Sequence, residues 1–307
     1  MQMKKIITCL FLIAIIGAVL YYRNNITNYV TNEVILPIEK KGKPVDITYN
    51  SYKYGDWQIV KNTTDFNAKK YDDFDNIFYT ILNSGVDEFT FYCSKEYESC
   101  VQDVQTYVNS DQNLGNINNL IHPYNSFKNI QVTVTNYGKI TIKVNHIYTK
   151  EQIDYVNSEI ENFIKNNINT SMSDQDKIKA FHDYIANNTR YDQSVKTVED
   201  KLALSSYNAY GLLVNHKAIC GGYTDALAIY LNMLGYTNYR VATNEHIWNL
   251  VNINGTYYHI DVTWDDPVTS NGSDQLLHDY FLISNATLHQ KDPNEHNFNA
   301  NFYLEAN

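Results

Sequence analysis

The sequence predicts a mixed α+β protein, and three patterns carry that expectation. Apolar residues recur at helical spacing in separated stretches, most clearly at Phe74, Ile77, Phe78, Ile81 and Leu82. Two strand-like runs flank Asn254-Gly255, the strongest short hairpin signal. Two more alternate around Asn136-Tyr137-Gly138. The chain has 307 residues, 44% of them hydrophobic, enough for two ordinary domains or one domain with extensions. Its 27 tyrosines help raise the aromatic share to 14%, which argues for a folded chain, since disordered segments are poor in such residues. Twelve Gly and five Pro are too few for a collagen-like or proline-rich disordered protein. A formal charge of −10 excludes a general phosphate-backbone binder, so nucleic acid is not an expected partner.

Taken in order, the chain opens with Lys4 and Lys5 before an uncharged run from Ile6 to Tyr22 that stops at Arg23. As a helix this run is roughly 25 Å long, enough for a thin hydrocarbon core. No small-x-small cleavage pattern precedes the tyrosines, and Cys9 lies too early, after Thr8, for a lipoprotein signal. The expectation is a signal anchor over residues 1–23, with membrane contact through residues 6–22 and a cytoplasmic N-terminus. The alternative is a cleaved export signal and a secreted body. Both place the body outside the cytoplasm.

Residues 24–65 are polar and aperiodic and read as a tether, with a short strand near Val45 to Tyr49. Residues 66–148 read as a small α+β module. A helix over Tyr71 to Leu82 stops at Asn83-Ser84-Gly85, a strand runs from Val86 to Cys93, and Val101, Val104, Tyr107 and Val108 mark a second helix. The hairpin joins Ile130 to Thr135 with Lys139 to Ile147. Cys93 and Cys100 could not bridge on one helix, but can if Cys93 ends the strand and Cys100 opens the helix. Either a structural disulfide or two separate buried thiols fits the sequence. From residue 149 on, Ile153, Val156, Ile160, Phe163 and Ile164 form one helical face. Ser173 caps a further helix through Ile178, Phe181, Tyr184 and Ile185.

Residues that could carry chemistry lie between Ala218 and Pro267. Cys220-Gly221-Gly222 precedes an amphipathic stretch, Tyr223 to Leu234, which puts Cys220 at a helix N-terminus. Free N–H groups and the helix dipole favour a thiolate there. The two glycines are poor helix formers, so packing or close approach of another segment must explain them. Alone, Cys220 reads equally as a small buried hydrophobe. The Asn254-Gly255 hairpin supplies its company. A two-residue loop makes Trp248 face Asp261 and His246 face Thr263, so His246, Trp248 and Asp261 share one face. His246 and Asp261 are then diagonal neighbours, about 7–8 Å apart at the backbone, a gap their side chains can close. A cysteine at a helix start, an imidazole and an orienting acid are the parts of a nucleophile–base–orienter triad. His259 shares the face and competes for the base role. Asp265 and Asp266, beside Pro267, read as turn formers rather than calcium ligands, because two adjacent acids do not make an oxygen cage. Trp248 and Trp264 either line the substrate site or serve as core aromatics. A metal-dependent hydrolase using His278, His289 or His296 lacks ligand spacing, and no cofactor is expected.

These residues resemble the transglutaminase-like superfamily of papain-like cysteine enzymes, of the bacterial cell-surface type. The similarity runs in order through Asp176-Lys177, Phe181 to Ile185, Tyr210-Gly211, Ala218 to Tyr223, His246 to Asn249 and Tyr257 to Asp266. It covers residues 175–285, with Ile247 where Ala is common. The resemblance implies a transglutaminase-like domain over 149–307, with a papain-like core whose nucleophile helix packs on an antiparallel sheet. It also implies Cys220 as nucleophile, His246 as general base and Asp261 as orienter. The expected activity is acyl transfer or hydrolysis of protein or peptide amides, with substrates in the cell envelope or on neighbouring surfaces. The competing class is a catalytically silent surface-binding or scaffolding protein.

Overall fold

The computed structural model describes residues 46–195, 205–268 and 275–307, together with scattered residues between 16 and 33. Lys4, Lys5, Cys9 and most of the expected membrane run lie outside the described residues. Ile16, Val19 and Leu20 belong to a helical stretch and are exposed. Among the described residues no helix is long and apolar enough to cross a membrane.

The first unit contains β1 (Asn67–Ala68), α1 (Asp73–Ser84), β2 (Glu88–Cys93), α2 (Cys100–Val108), α3 (Asp111–Asn119), β3 (Phe127–Val134) and β4 (Lys139–His146). Its sheet has the order β1-β2-β4-β3, antiparallel except for the short β1–β2 pair. The five apolar residues that predicted α1 are all at most 1% exposed and pack against Phe91, Ile140 and Ile142 of the sheet. Gly85 ends α1 in the left-handed conformation at φ 73°, its N–H returning to the Leu82 carbonyl. Cys93 closes β2, Cys100 opens α2, and the two form a disulfide.

Two expectations fail here. Residues 46–49 form no strand, and Val45 lies outside the described residues. The last part of the expected tether is packed core rather than free chain. Trp57 and Val60 are buried, and the Trp57 indole N–H donates to the Leu120 carbonyl at 2.9 Å. Single aromatic anchors on irregular chain leave no period in the sequence, which is why the segment read as unstructured.

The second unit contains α4 (Lys150–Asn167), α5 (Asp174–Asn188), β5 (Arg190–Tyr191), α6 (Ala209–Asn215), β6 (Lys217–Ala218), α7 (Cys220–Met233), β7 (Asn238–Ala242), β8 (Ile247–Ile253), β9 (Thr256–Ile260), α8 (Val262–Asp265) and α9 (Asn285–Lys291). Thr149 and Gln152 make a reciprocal capping box on α4, and Ser173 caps α5 by accepting the Asp176 N–H at 3.1 Å. β7, β8 and β9 form an antiparallel sheet in sequence order. Because strand side chains alternate, this sheet serves two cores. Tyr239, Val241, Trp248 and Leu250 join the core of the first unit, while Val251 and Ile260 join the core built on α4 to α7. The boundary expected at 148/149 therefore separates elements but not cores.

Candidate active site

Cys220 is the first residue of α7, where its N–H has no acceptor within the helix. The helix is not amphipathic as its sequence suggested. Every residue from Cys220 to Leu231 is buried, because α7 is covered on one side by β8 and on others by α5, α6 and the 205–207 turn. Close approach explains the glycines. A Cβ on Gly221 would lie 2.8 Å from the Tyr207 carbonyl oxygen, and one on Gly222 would lie 2.6 Å from that of Ser206. Thr224 and Asn249 tie the helix to the sheet. The Thr224 hydroxyl donates to the Ile247 carbonyl, and the Asn249 amide donates to the Thr224 carbonyl, each at 2.9 Å.

His246 sits just before β8 in a turn in which its N–H donates to the Thr243 hydroxyl at 3.2 Å. The expected register holds from Ile253↔Thr256 to Asn249↔Ile260 and then stops. At Asp261 the chain leaves the sheet and starts α8, so Thr263 is helical and does not face His246. Asp261 is the N-cap of α8, its Oδ1 accepting the Trp264 N–H at 3.2 Å. Its Oδ2 is hydrogen-bonded to His246 Nε2. Cys220 also acts on the ring, as hydrogen-bond partner and as charge. Burial alone would lower the His246 pKa. Asp261 outweighs burial and, with Cys220, pushes it up to about 10. Burial likewise opposes ionisation of Asp261, but its two histidine partners hold the carboxyl well below the usual carboxylate range. The pair is an imidazolium held by a carboxylate at neutral pH.

His259 is no rival for this position. It is 1% exposed, its Nδ1 accepts the Trp248 indole N–H at 3.0 Å, and burial lowers its pKa to about 3. Trp248 is also 1% exposed and lies behind His246, their rings 5.6 Å apart and nearly parallel. It is a core aromatic with no surface toward substrate. Trp264 is half-buried beside His246, with ring centroids 6.3 Å apart.

Asp265 and Asp266 are buried acceptors rather than turn formers. Asp265 accepts the Tyr280 N–H at 2.9 Å and meets His182 Nε2 at 3.1 Å, and Asp266 accepts the Tyr223 hydroxyl at 2.5 Å. Their tertiary partners come from distant chain, which an Asp-Asp-Pro string does not disclose. The three histidines considered as metal ligands do not converge. His278 meets Asp183 at 2.7 Å, His289 stacks on Phe298 and His296 meets Asp261 at 2.9 Å. Ligand-type atoms gather within 4.8 Å at His182, Asp183 and His278, and again at His246, Asp261 and His296. In both clusters two imidazoles share one carboxylate oxygen, so hydrogen bonding accounts for the grouping.

Cys220 and His246, each 8% exposed, lie in the wall of a cleft of about 1110 Å³. One side of that cleft is α3 of the first unit, through Asp111, Gln112 and Asn116. The other sides come from Tyr207, from residues 242–247 and from the C-terminal segment around Asn294 and Glu295. Among the described residues the lining is rich in side-chain amides and carries Asp111, Glu245 and Glu295 without a lysine or arginine. Sequence reasoning missed α3, whose polar composition buries little more than Ile117, and weighed His296 only as a metal ligand, because its contact with Asp261 comes from aperiodic chain.

No protein-family model matches the chain, and no curated protein matches it. Among solved structures, a TGase is similar at 22% identity over 45% of this chain and 44% of that one, with a TM-score of 0.32. A proposed cysteine protease from Cytophaga hutchinsonii is similar at 14% identity over 48% of this chain and 65% of that one, with a TM-score of 0.28. The matched region thus spans less than two thirds of either protein. Both are partial likenesses of a mixed α+β fold.

Proposed function

We propose that the chain is a membrane-anchored extracellular thiol enzyme, an acyltransferase or hydrolase of protein or peptide amides working through Cys220, His246 and Asp261. One observation carries this reading. The His246 ring is held through Nε2 by the buried Asp261 carboxylate while it acts on Cys220, the first residue of a helix, in the wall of an open cleft. A cysteine at a helix N-terminus, with an imidazole held beside it by a carboxylate, is the arrangement of a thiol nucleophile and its acid–base partner.

In the proposed reaction the Cys220 sulfur attacks an amide carbonyl. Backbone N–H groups at the α7 terminus receive the developing oxyanion, and His246 gives its proton to the departing amine. The C–N bond breaks and a thioester remains on Cys220. Attack by a second amine gives a new amide, and attack by water gives the acid. The lining, acidic and amide-bearing, suits an uncharged or cationic peptide. The Cys93–Cys100 disulfide supports an oxidising compartment for the body, as does the charge pattern around the N-terminal apolar run.

The test is the iodoacetamide labelling rate of Cys220 in the full-length chain, resolved by peptide mass spectrometry, at about pH 6, where a free cysteine with pKa near 8.5 is almost wholly protonated. Labelling faster than that of free cysteine, and slowed in His246→Ala, is expected. A Cys220 that labels no faster than free cysteine, or equally fast in both proteins, leaves a surface-binding protein.

A further inference from the structure

His296 is fully buried, and both of its ring nitrogens face carboxylates. Nε2 lies 2.9 Å from Asp261 Oδ2, and Nδ1 lies 2.9 Å from Asp292 Oδ2. A carboxylate only accepts hydrogen bonds, so each nitrogen must carry a proton for both bonds to form. Asp292 is itself fixed by its own loop, its carboxylate accepting the Asn294 N–H at 3.0 Å and the Glu295 N–H at 3.2 Å. The ring is further clamped by stacking on Tyr280, with centroids 5.2 Å apart, and by an edge contact with Trp248 at 4.7 Å.

We propose that His296 is a positioning residue of this site, anchored by Asp292 and orienting the Asp261 carboxylate so that Oδ2 meets His246. The inference rests on the reading of Cys220 and His246 given above. Asp261 stands where β9 ends and α8 begins, with Oδ1 committed to capping the helix through the Trp264 N–H. The other oxygen receives both imidazoles. A second rigid donor on Oδ2 restricts the carboxylate rotation that would let that oxygen turn away from His246. The titratable groups that face His296 are Asp261, Asp292, His246 at 5.3 Å between ring centroids, Tyr280 and His259.

The experiment compares the pH profile of Cys220 labelling by iodoacetamide in the full-length wild type, His246→Ala, His296→Ala, His296→Gln and Asp292→Ala. Near-ultraviolet circular dichroism confirms that each retains its tertiary packing. His296→Ala is expected to lose labelling at about pH 6 by tenfold or more, equivalent to a shift of one pH unit, approaching His246→Ala. His296→Gln, whose amide can still donate to Asp261, should recover most of the rate, a rescue that a space-filling role for the ring does not predict. Asp292→Ala should fall between the two. If His296→Ala does not fold, Asp292→Ala decides. Wild-type rates in every His296 and Asp292 variant overturn this inference alone, provided His246→Ala is slow. A slow wild type overturns the proposed function and the inference with it.

Discussion

Arg240 on β7 and Asp225 on α7 form a buried ion pair with an N–O distance of 2.8 Å, both side chains at most 5% exposed. The Arg240 guanidinium also donates to the carbonyls of Asn118 and Ile121 and to the Ser126 hydroxyl, all in the first unit. Asp225 in turn accepts the Tyr148 hydroxyl at 2.8 Å. One arginine therefore joins the helix that begins at Cys220, the sheet and the unit that walls the cleft. Burial raises the Asp225 pKa more than Arg240 lowers it, so desolvation is incompletely compensated and the pair acts more as a register device than as a source of stability. Arg240→Met leaves a buried carboxylate without its cation and is expected to cost about 3–5 kcal/mol in urea unfolding. Arg240→Met/Asp225→Leu should recover part of that loss. A double variant no more stable than the single one would sink the account.

Stability should depend on pH through His246 and Asp261. In the folded protein the His246 pKa is raised from 6.5 to about 10. Its contribution is therefore complete below about 6.5 and is lost as pH rises toward about 10. The Asp261 pKa is depressed below its ordinary 3.8, so its contribution is present above that value and is lost as pH falls below it. In a Cys220→Ser background, which removes thiol ionisation, the unfolding free energy lost on His246→Gln should be flat from about pH 4 to 6.5 and shrink above that. A difference that does not change between about pH 6.5 and 10 contradicts the buried pair.

How far this site could be read from sequence depended on local signals. Asn254-Gly255 set a register that holds as far as Asn249↔Ile260, and alternation then put His246 and Asp261 on one face. The pairing stops three residues short of His246 because Asp261 caps a short helix, yet the two side chains still meet. Cys220 was legible because a glycine pair and a long apolar helix follow it. His296 was not, since its only local mark is Asp292 four residues earlier in irregular chain. α3 and Trp57 escaped for a related reason. Their burial depends on partners far along the chain, and α3 offers little apolar period to betray it.

The glycines at the start of α7 make a separate prediction. A Cβ on Gly222 would come within 2.6 Å of the Ser206 carbonyl oxygen and 2.9 Å of the Ala218 Cβ, and neither is a flexible side-chain tip. Gly222→Ala must move the 205–207 turn or the first turn of α7, and Cys220 with it. The expected cost is about 1–3 kcal/mol, together with slower Cys220 labelling at about pH 6. Gly115 in α3 is the control, because nothing lies within 4 Å of its added Cβ. Gly115→Ala should stabilise by about 0.5–1 kcal/mol. Equal effects of the two substitutions would refute the close-approach explanation.

His259 separates a buried structural histidine from a base. Its low pKa, set first by burial and then by the charges of His296 and His289, keeps the ring neutral. Nδ1 accepts the Trp248 N–H, so the ring proton is on Nε2, an atom with no hydrogen-bond partner among the described residues. His259→Leu removes the acceptor and leaves the indole N–H buried and unpaired, at a cost of about 1–3 kcal/mol. His259→Gln offers a carbonyl oxygen to the same N–H and should cost less. In both variants the Cys220 labelling rate at about pH 6, and its dependence on His246, should match the wild type. A large loss of labelling in the folded His259→Gln protein would move the base role from His246 to His259, because the indole bond would be preserved while the imidazole alone was lost.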